Sequence, residues 1–512
     1  MLDLGTSFLA SVERDPDALA IVDGDVRFTY RQWYRRISSL VEAFDELELE
    51  PGDHLVTLLQ NNWQAATIHW ACQFAGIIIT PLNWRSTAEE LDYCLDNADA
   101  NALVYEEVSA KAVAASKEAQ KHPRIAIGVP DDLPFETLAG NDAEDATPRV
   151  SADAWSVMLY TSGTTAKPKG VPRRQRAERA AALAHVAQNL YRNGERTLGV
   201  MPLYHTMGVR SLLAMSLIGG TFVCLPRFDV KGALSLIQKE KITNLYLVPT
   251  LYHDVVHHDA FKATDVSSVR KIGFAGASMT DGLLKELQAA FKPELFVNHY
   301  GSSEIYTFTI DQNATAKPGS AGRAGINQMV RVVKLGAASP AQAAKANEEG
   351  EIAALLAGDE SFEGYWRRPE AAAKALRDGW YFTGDTGYFD DDGDLFVTGR
   401  VDDMIITGGE NVSPVEIESC LSLHEAVSEV AVVGLPDERW GKVVTAFIKR
   451  RAAVDESELD LFCKGSGLAN YKRPRRYVFV EAIPKSPVGK LLRRLLVAGA
   501  CSLRGRSLCR TG

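Results

Sequence analysis

Short apolar runs alternate with stretches of helical periodicity along this chain, and that alternation commits it to layered α/β architecture with largely parallel sheets. Residues 53–59 and 102–105 read as short buried strands, whereas residues 31–47 and 87–97 carry helical periodicity. An acidic, proline-containing stretch, residues 130–149, separates a first α/β unit from the segment that begins near Trp155. Residues 319–357 change to short strands and turns, which predicts a small β-rich subdomain. After Arg400 a compact segment runs hairpin, helix, strand, helix and is long enough to fold by itself. With 512 residues, 46% of them hydrophobic, the chain is too long for one simple core, so two or three domains are expected.

Other function classes are excluded at this level. A formal net charge of -10 argues against a general nucleic-acid-binding surface. No apolar run reaches the roughly 18 residues of a membrane span; the best candidate, residues 211–225, is broken by Gly219 and Gly220. The seven cysteines have no CxxC spacing, and the first residues lack the basic-then-apolar layout of a secretion signal. The expectation is a reducing, cytoplasmic protein with no structural metal, no nucleic-acid partner and no membrane partner. Residues 498–512, with Cys501, Cys509 and three arginines among small residues, show no periodicity and read as a disordered tail.

The chemistry starts at Tyr160-Thr161-Ser162-Gly163-Thr164-Thr165-Ala166-Lys167-Pro168-Lys169-Gly170, directly after the strand-like run that begins at Trp155. Gly163 and Gly170 let a backbone approach an anion, Thr161, Ser162, Thr164 and Thr165 offer hydroxyls, and Lys167 and Lys169 supply charge. The group fits phosphate, but the GxxxxGK[ST] spacing of a Walker A loop is absent. A Gly/Ser/Thr-rich surface loop is the alternative for this stretch taken alone.

Three further constellations come in a fixed order: His299-Tyr300-Gly301-Ser302-Ser303-Glu304; Tyr381-Phe382-Thr383-Gly384-Asp385 leading to Gly399-Arg400-Val401-Asp402-Asp403; and Pro484-Lys485-Ser486-Pro487-Val488-Gly489-Lys490. Together with the loop they resemble the adenylate-forming acyl- and aryl-CoA synthetases, the group that also holds luciferases and the adenylation domains of peptide synthetases. The likeness covers residues 5–497, and within the family it is closest to the 4-chlorobenzoate:CoA ligase group, through Met201-Pro-Leu-Tyr-His205, Phe274-Ala-Gly-Ala277 and the run from Gly399 to Asn411. It implies an N-terminal adenylation domain over residues 1–401, a small mobile α+β domain over residues 402–497, and Asp402 as the hinge between them. The reaction implied is ATP-dependent activation of a carboxylic acid followed by transfer to coenzyme A, with release of AMP and pyrophosphate. The implied partners are the acid, ATP, CoA and Mg²⁺; a homodimer is left open.

The resemblance also assigns residues. Thr161, Ser162, Gly163, Thr164, Thr165 and Lys169 would embrace the β- and γ-phosphates, with Glu304 and Thr161 toward Mg²⁺. Asp385 suits the ribose hydroxyls, because a carboxylate accepts from both; Arg400, always charged, suits phosphate or ribose. Lys490 is the catalytic candidate, bridging the carboxylate and the α-phosphate. Gly408 and Gly409 would line the pantetheine tunnel, and Trp440, Tyr471, Arg473, Arg475 and Arg85 would meet the CoA nucleotide. His205 would gate the acid and CoA sites. Taken singly, each has a plainer reading: Lys490 beside Arg493 and Arg494 as a solvated helix face, His205 as a structural histidine, residues 471–476 as exposed charge.

The acyl pocket is expected from His205, Met207, residues 274–277 with Ala277, residues 299–301 with Gly301, and residues 305–308 with Ile305. Their bulk favours a short or flat acid over a long alkyl chain. Arg210, pointing inward, would recognise a polar ring atom or a second carboxylate, although an arginine at a helix start is usually solvated or paired. The expected substrate is a small aromatic or heteroaromatic monoacid of the benzoate, halobenzoate or furoate kind. The alternatives are a short or medium aliphatic acid, a free-standing adenylating enzyme loading a carrier protein, and a nucleotide-binding regulatory protein. Two departures stand out. Ala166 occupies a loop position where the family usually has glycine, and Asp402 replaces the frequent hinge lysine, as in the aryl-ligase branch.

Overall fold

The computed structural model describes all residues except 131, 141–142, 162–166, 402, 408–409, 486–490, 500–501, 504–505 and 508–512. The first sheet has seven strands in the order Leu133–Pro134, Arg124–Ile127, Ala100–Glu106, His54–Leu58, Ile78–Pro81, Trp155–Thr161, Lys169–Arg174. Every pairing is parallel except the last, where Trp155–Thr161 runs antiparallel to Lys169–Arg174. Its helices start where the sequence expects: Tyr30–Glu46 and Ala88–Ala98 each open on a reciprocal capping box, made by Thr29 with Gln32 and by Thr87 with Glu90. The apolar faces meet in a large core that includes Trp33, Trp70, Phe74 and Val157.

The second sheet is parallel through Leu19–Asp23, Thr221–Cys224, Arg196–Gly199, Asn244–Leu247, Lys271–Phe274 and Leu295–Tyr300. It turns antiparallel at Thr309–Asp311, which pairs with the end of Leu295–Tyr300. The strands Ser320–Ala324, Val330–Lys334, Gly350–Leu355, Trp380–Phe389 and Leu395–Arg400 then extend it. The β-rich part is therefore continuous with the main sheet, because Thr309 pairs with Ala324, and Ser320 with Phe396. Tyr300 stands at the carboxyl end of the last parallel strand, where open α/β sheets place their ligands.

From Ile405 onward the chain builds a separate core. A short hairpin pairs Ile405–Thr407 with Glu410–Val412, the helix Pro414–Ser422 follows, and Val427–Asp437, Gly441–Arg450 and Arg476–Val480 form the sheet. Ile405, Val412, Ile417, Leu421, Val432 and Ile448 fill it. Two short strands of the tail, Ser502–Leu503 and Arg506–Ser507, add to the open edge through Val480 and Leu503. An edge strand's unpaired backbone groups give these short segments their partners. The helix near the end is Arg493–Val497.

Candidate active site

Two side-chain centres flank the short segment from Tyr300 to Glu304. At the first, the Tyr300 hydroxyl donates to Asp385 Oδ2 at 2.6 Å, and Arg400 Nη1 lies 3.3 Å from Asp385 Oδ1. Asp385 and Arg400 are directly opposite on paired antiparallel strands, so sheet register fixes their contact. Arg400 Nη2 also reaches the Thr383 carbonyl at 3.3 Å. Asp385→Asn is expected to raise the KM for ATP by about 10- to 100-fold, since it removes charge-assisted hydrogen bonds of about 1.5–3 kcal/mol. Initial rates against ATP concentration check this, and an unchanged KM would refute the ribose role.

At the second centre Glu304, 6% exposed, accepts from the Tyr365 hydroxyl at 2.7 Å, and its carbonyl accepts from the Phe362 amide at 2.9 Å. Lys169, directly opposite Thr161 in the strand pair, places Nζ 4.1 Å from the centre of the Tyr365 ring. The Tyr365 ring thus joins the strand Lys169–Arg174 to Glu304. Burial first, with Arg368, Arg400 and Lys374 adding to it and Glu304 opposing, holds Lys169 below the ordinary lysine value. A crowd of cations around one carboxylate has room for anionic charge, as triphosphate requires. Glu304 carries carboxylate oxygens and Thr161 a hydroxyl, the hard oxygen ligands that suit a cation such as Mg²⁺.

Behind both centres lies a buried arginine that the sequence reading does not single out. Arg173 is wholly buried and pairs through Nε with the equally buried Glu178. Its Nη1 donates to the carbonyls of Glu304 at 3.1 Å and Glu360 at 2.9 Å, and its guanidinium lies 3.8 Å from the centre of the Tyr306 ring. This bracket clamps the strand Lys169–Arg174 to the backbone that presents Glu304. The available signal is the two-residue period that puts Arg173 on the same strand face as buried Val171.

Gly301 is required sterically: a Cβ there would stand 2.1 Å from the Tyr306 carbonyl oxygen. His205 caps the helix Thr206–Leu217, its Nδ1 accepting from the Met207 amide at 3.3 Å. Ala277 is partly buried beyond the strand Lys271–Phe274. Met207 and Ile305, expected to share a pocket wall, are 1% and 0% exposed and belong to separate core clusters. Arg210 corrects the general expectation for its position. It is 2% exposed, because its helix turns it inward onto Tyr246, Tyr306 and Thr307. His299, which heads the expected pocket segment, gathers beside it with His185 and Tyr246, neither of which is singled out by its local sequence.

The proposed CoA residues divide. Trp440 and Arg475 stack, 4.5 Å from guanidinium carbon to ring centre, and Tyr471 is exposed nearby in sequence. Arg473 is instead engaged by Asp460 and Asn470, since the helix Glu456–Gly465 presents Asp460 to it. Arg85 stacks on Trp84 at 3.6 Å. Ser162, Gly163, Thr164, Thr165, Asp402, Gly408, Gly409 and Lys490 lie outside the described residues. Their neighbours are anchored: Lys485 pairs with Glu429 at 2.5 Å, and Arg493 pairs with Glu418 at 2.7 Å rather than facing solvent. No helix among the described residues is long and apolar enough to cross a membrane.

Residues 8–366 match the AMP-binding enzyme family, and residues 416–490 match the AMP-binding enzyme C-terminal domain. The chain is 33% identical over 497 residues to a 4-chlorobenzoate–CoA ligase of an Arthrobacter species, covering 95% of this chain and 93% of that one. It is 31% identical over 477 residues to the long-chain-fatty-acid–CoA ligase FadD13 of Mycobacterium tuberculosis, covering 92% and 93%. Among solved structures, ATP-bound MatB from Rhodopseudomonas palustris superposes with a TM-score of 0.86 at 27% identity, covering 97% of this chain and 99% of that one. The strand-borne Asp385 and Arg400, the Glu304 segment and these full-length likenesses agree, and the chain belongs to the AMP-binding enzymes, within them to the AMP-forming carboxylate–CoA ligases that use ATP and CoA.

Proposed function

We propose that this ligase activates a small aromatic or heteroaromatic acid, of the benzoate, halobenzoate or furoate kind. The observation that carries the reading is the solid packing around Gly301. His299, Tyr306 and Phe308 are 2%, 3% and 0% exposed, and the rings of His185, Tyr246 and His299 stand 4.7–5.2 Å apart. Bulky side chains of this kind do not make the small-residue tunnel that a long chain needs, whereas a flat ring is bound with little rotamer ordering. In this reading the acid lies against residues 205–207 and 299–308, Asp385 holds the ribose, and Lys169 with residues 161–165 takes the β- and γ-phosphates. Glu304 and Thr161 would hold Mg²⁺, which supplies charge neutralisation at the phosphates when bound. Lys490 contacts the acid carboxylate and the α-phosphate, and Asp402 is the hinge through which residues 402–497 exchange Lys490 for the CoA-facing residues Gly408, Gly409, Trp440, Tyr471 and Arg475.

Pyrophosphate release and CoA-thioester formation over a panel of acids, with and without CoA, test this directly. Benzoate or 2-furoate is expected to exceed octanoate in kcat/KM by at least about 10-fold, with thioester formed only when CoA is present. Preferential use of octanoate would sink the aromatic reading while leaving the ligase assignment standing.

A further inference from the structure

We propose that Arg210 selects among aromatic acids for those whose ring carries a neutral hydrogen-bond acceptor in addition to the carboxylate that is activated. The inference rests on the proposed function, in which the acid lies beside His205 and the segment from His299 to Phe308.

The helix Thr206–Leu217 begins at His205 and carries Arg210 into the interior. There its guanidinium meets only uncharged acceptors: Nη1 donates to Thr307 Oγ1 at 2.7 Å and to the Tyr306 carbonyl at 3.3 Å, and Nη2 donates to the Tyr246 hydroxyl. Among the described residues no carboxylate forms an ion pair with it, and its Nε is buried without a hydrogen-bond partner. The neighbouring rings repeat the pattern. His185 Nε2 and His299 Nδ1 are also buried without partners, while the opposite nitrogens meet Asn189. Burial first, and then the Arg210 charge, holds both imidazoles well below the ordinary histidine value, so both are neutral.

Unmade hydrogen bonds on a buried guanidinium and two buried imidazoles are costly, and a helix flanked by Met207, Leu212 and Leu213 could fill this position with an apolar side chain instead. A ligand atom that accepts from Arg210 removes that cost.

Charge balance decides between a neutral acceptor and a second carboxylate. Burial first raises the carboxyl of Glu360, 1% exposed, while the charges of Arg210 and Arg173 oppose that rise, and Arg173 is already paired with Glu178. Two arginines and two glutamates cancel when all are ionised, so a second ligand carboxylate would leave this buried group net negative. A ring nitrogen, ring oxygen or carbonyl would not.

The test compares benzoate with the three pyridine monocarboxylates, which exchange one ring C–H for an accepting nitrogen at nearly constant shape, and adds phthalate and octanoate as further arms. Pyrophosphate release is measured with the wild type, Arg210→Lys and Arg210→Met. The wild type is expected to favour one pyridine isomer over benzoate by about 10-fold or more in kcat/KM. Arg210→Met is expected to bring that ratio to about 1, chiefly through KM, with Arg210→Lys between. Equal use of benzoate and all three pyridine acids by the wild type would overturn the proposal. So would an equal fall for every acid in Arg210→Met, which would mark the arginine as a brace for Tyr306 and Thr307. Preference for phthalate would overturn the neutral-acceptor choice, whereas preference for octanoate, or no turnover of any ring acid, would overturn the aromatic reading beneath it.

Discussion

Replacing Lys490 by alanine is expected to lower adenylation by about two to three orders of magnitude while sparing thioester formation from a supplied acyl-adenylate. A cation that bridges the acid carboxylate and the α-phosphate stabilises charge only while that bond forms, and it is not needed once the adenylate exists. The residues that flank it in sequence are tied to the C-terminal core: Lys485 pairs with Glu429 and bridges to Leu491, and Arg493 pairs with Glu418. Single-turnover measurements of the two half-reactions provide the check. An equal fall in both would remove the separate role assigned to this lysine.

Arg173→Met is expected to cost about 3–5 kcal/mol of stability, the usual consequence of leaving a buried charge without its partner. Glu178 would remain wholly buried with its ion pair gone, and the carbonyls of Glu304 and Glu360 would lose their shared donor. Removing both charges, in Arg173→Met with Glu178→Leu, should recover a large part of the loss, because the cost lies mainly in the unpaired charge. Urea unfolding followed by fluorescence reads both variants. A single variant within about 1 kcal/mol of the wild type would show that the pair is not a structural necessity.

The parts of this molecule that are legible in the sequence are those encoded locally. The helices Tyr30–Glu46 and Ala88–Ala98 lie within a residue of their expected bounds because helical periodicity marks them and threonine capping boxes start them there. Asp385 and Arg400 are legible as a pair of motifs because a hairpin connects them, so short-range register brings them together. Arg173, His185, Tyr246 and His299 act through contacts between distant segments. The tie from Arg173 to the Glu360 carbonyl spans 187 positions, and that from Asn189 to His299 spans 110. Apart from the strand period that aligns Arg173 with Val171, little in the local sequence separates such a residue from a solvated one. Arg173 and Arg174 are adjacent and chemically identical, yet the first is wholly buried and the second pairs at the surface with Glu363. Arg210 escapes its usual pattern for the same reason: the common fate of an arginine at a helix start says nothing of Tyr246 and Thr307 waiting inside.

The Arg173 bracket also orders events in time. Its carbonyl partners lie 131 and 187 positions further along the chain, so the clamp on Glu304 closes only after the intervening sheet has formed. Loops of that length close late, since chain entropy is lost before the distant contacts can compensate. A nascent chain that has displayed Arg173 but not yet Glu360 lacks this bracket, and the Glu304 centre becomes one of the last parts of the protein to be completed as it folds.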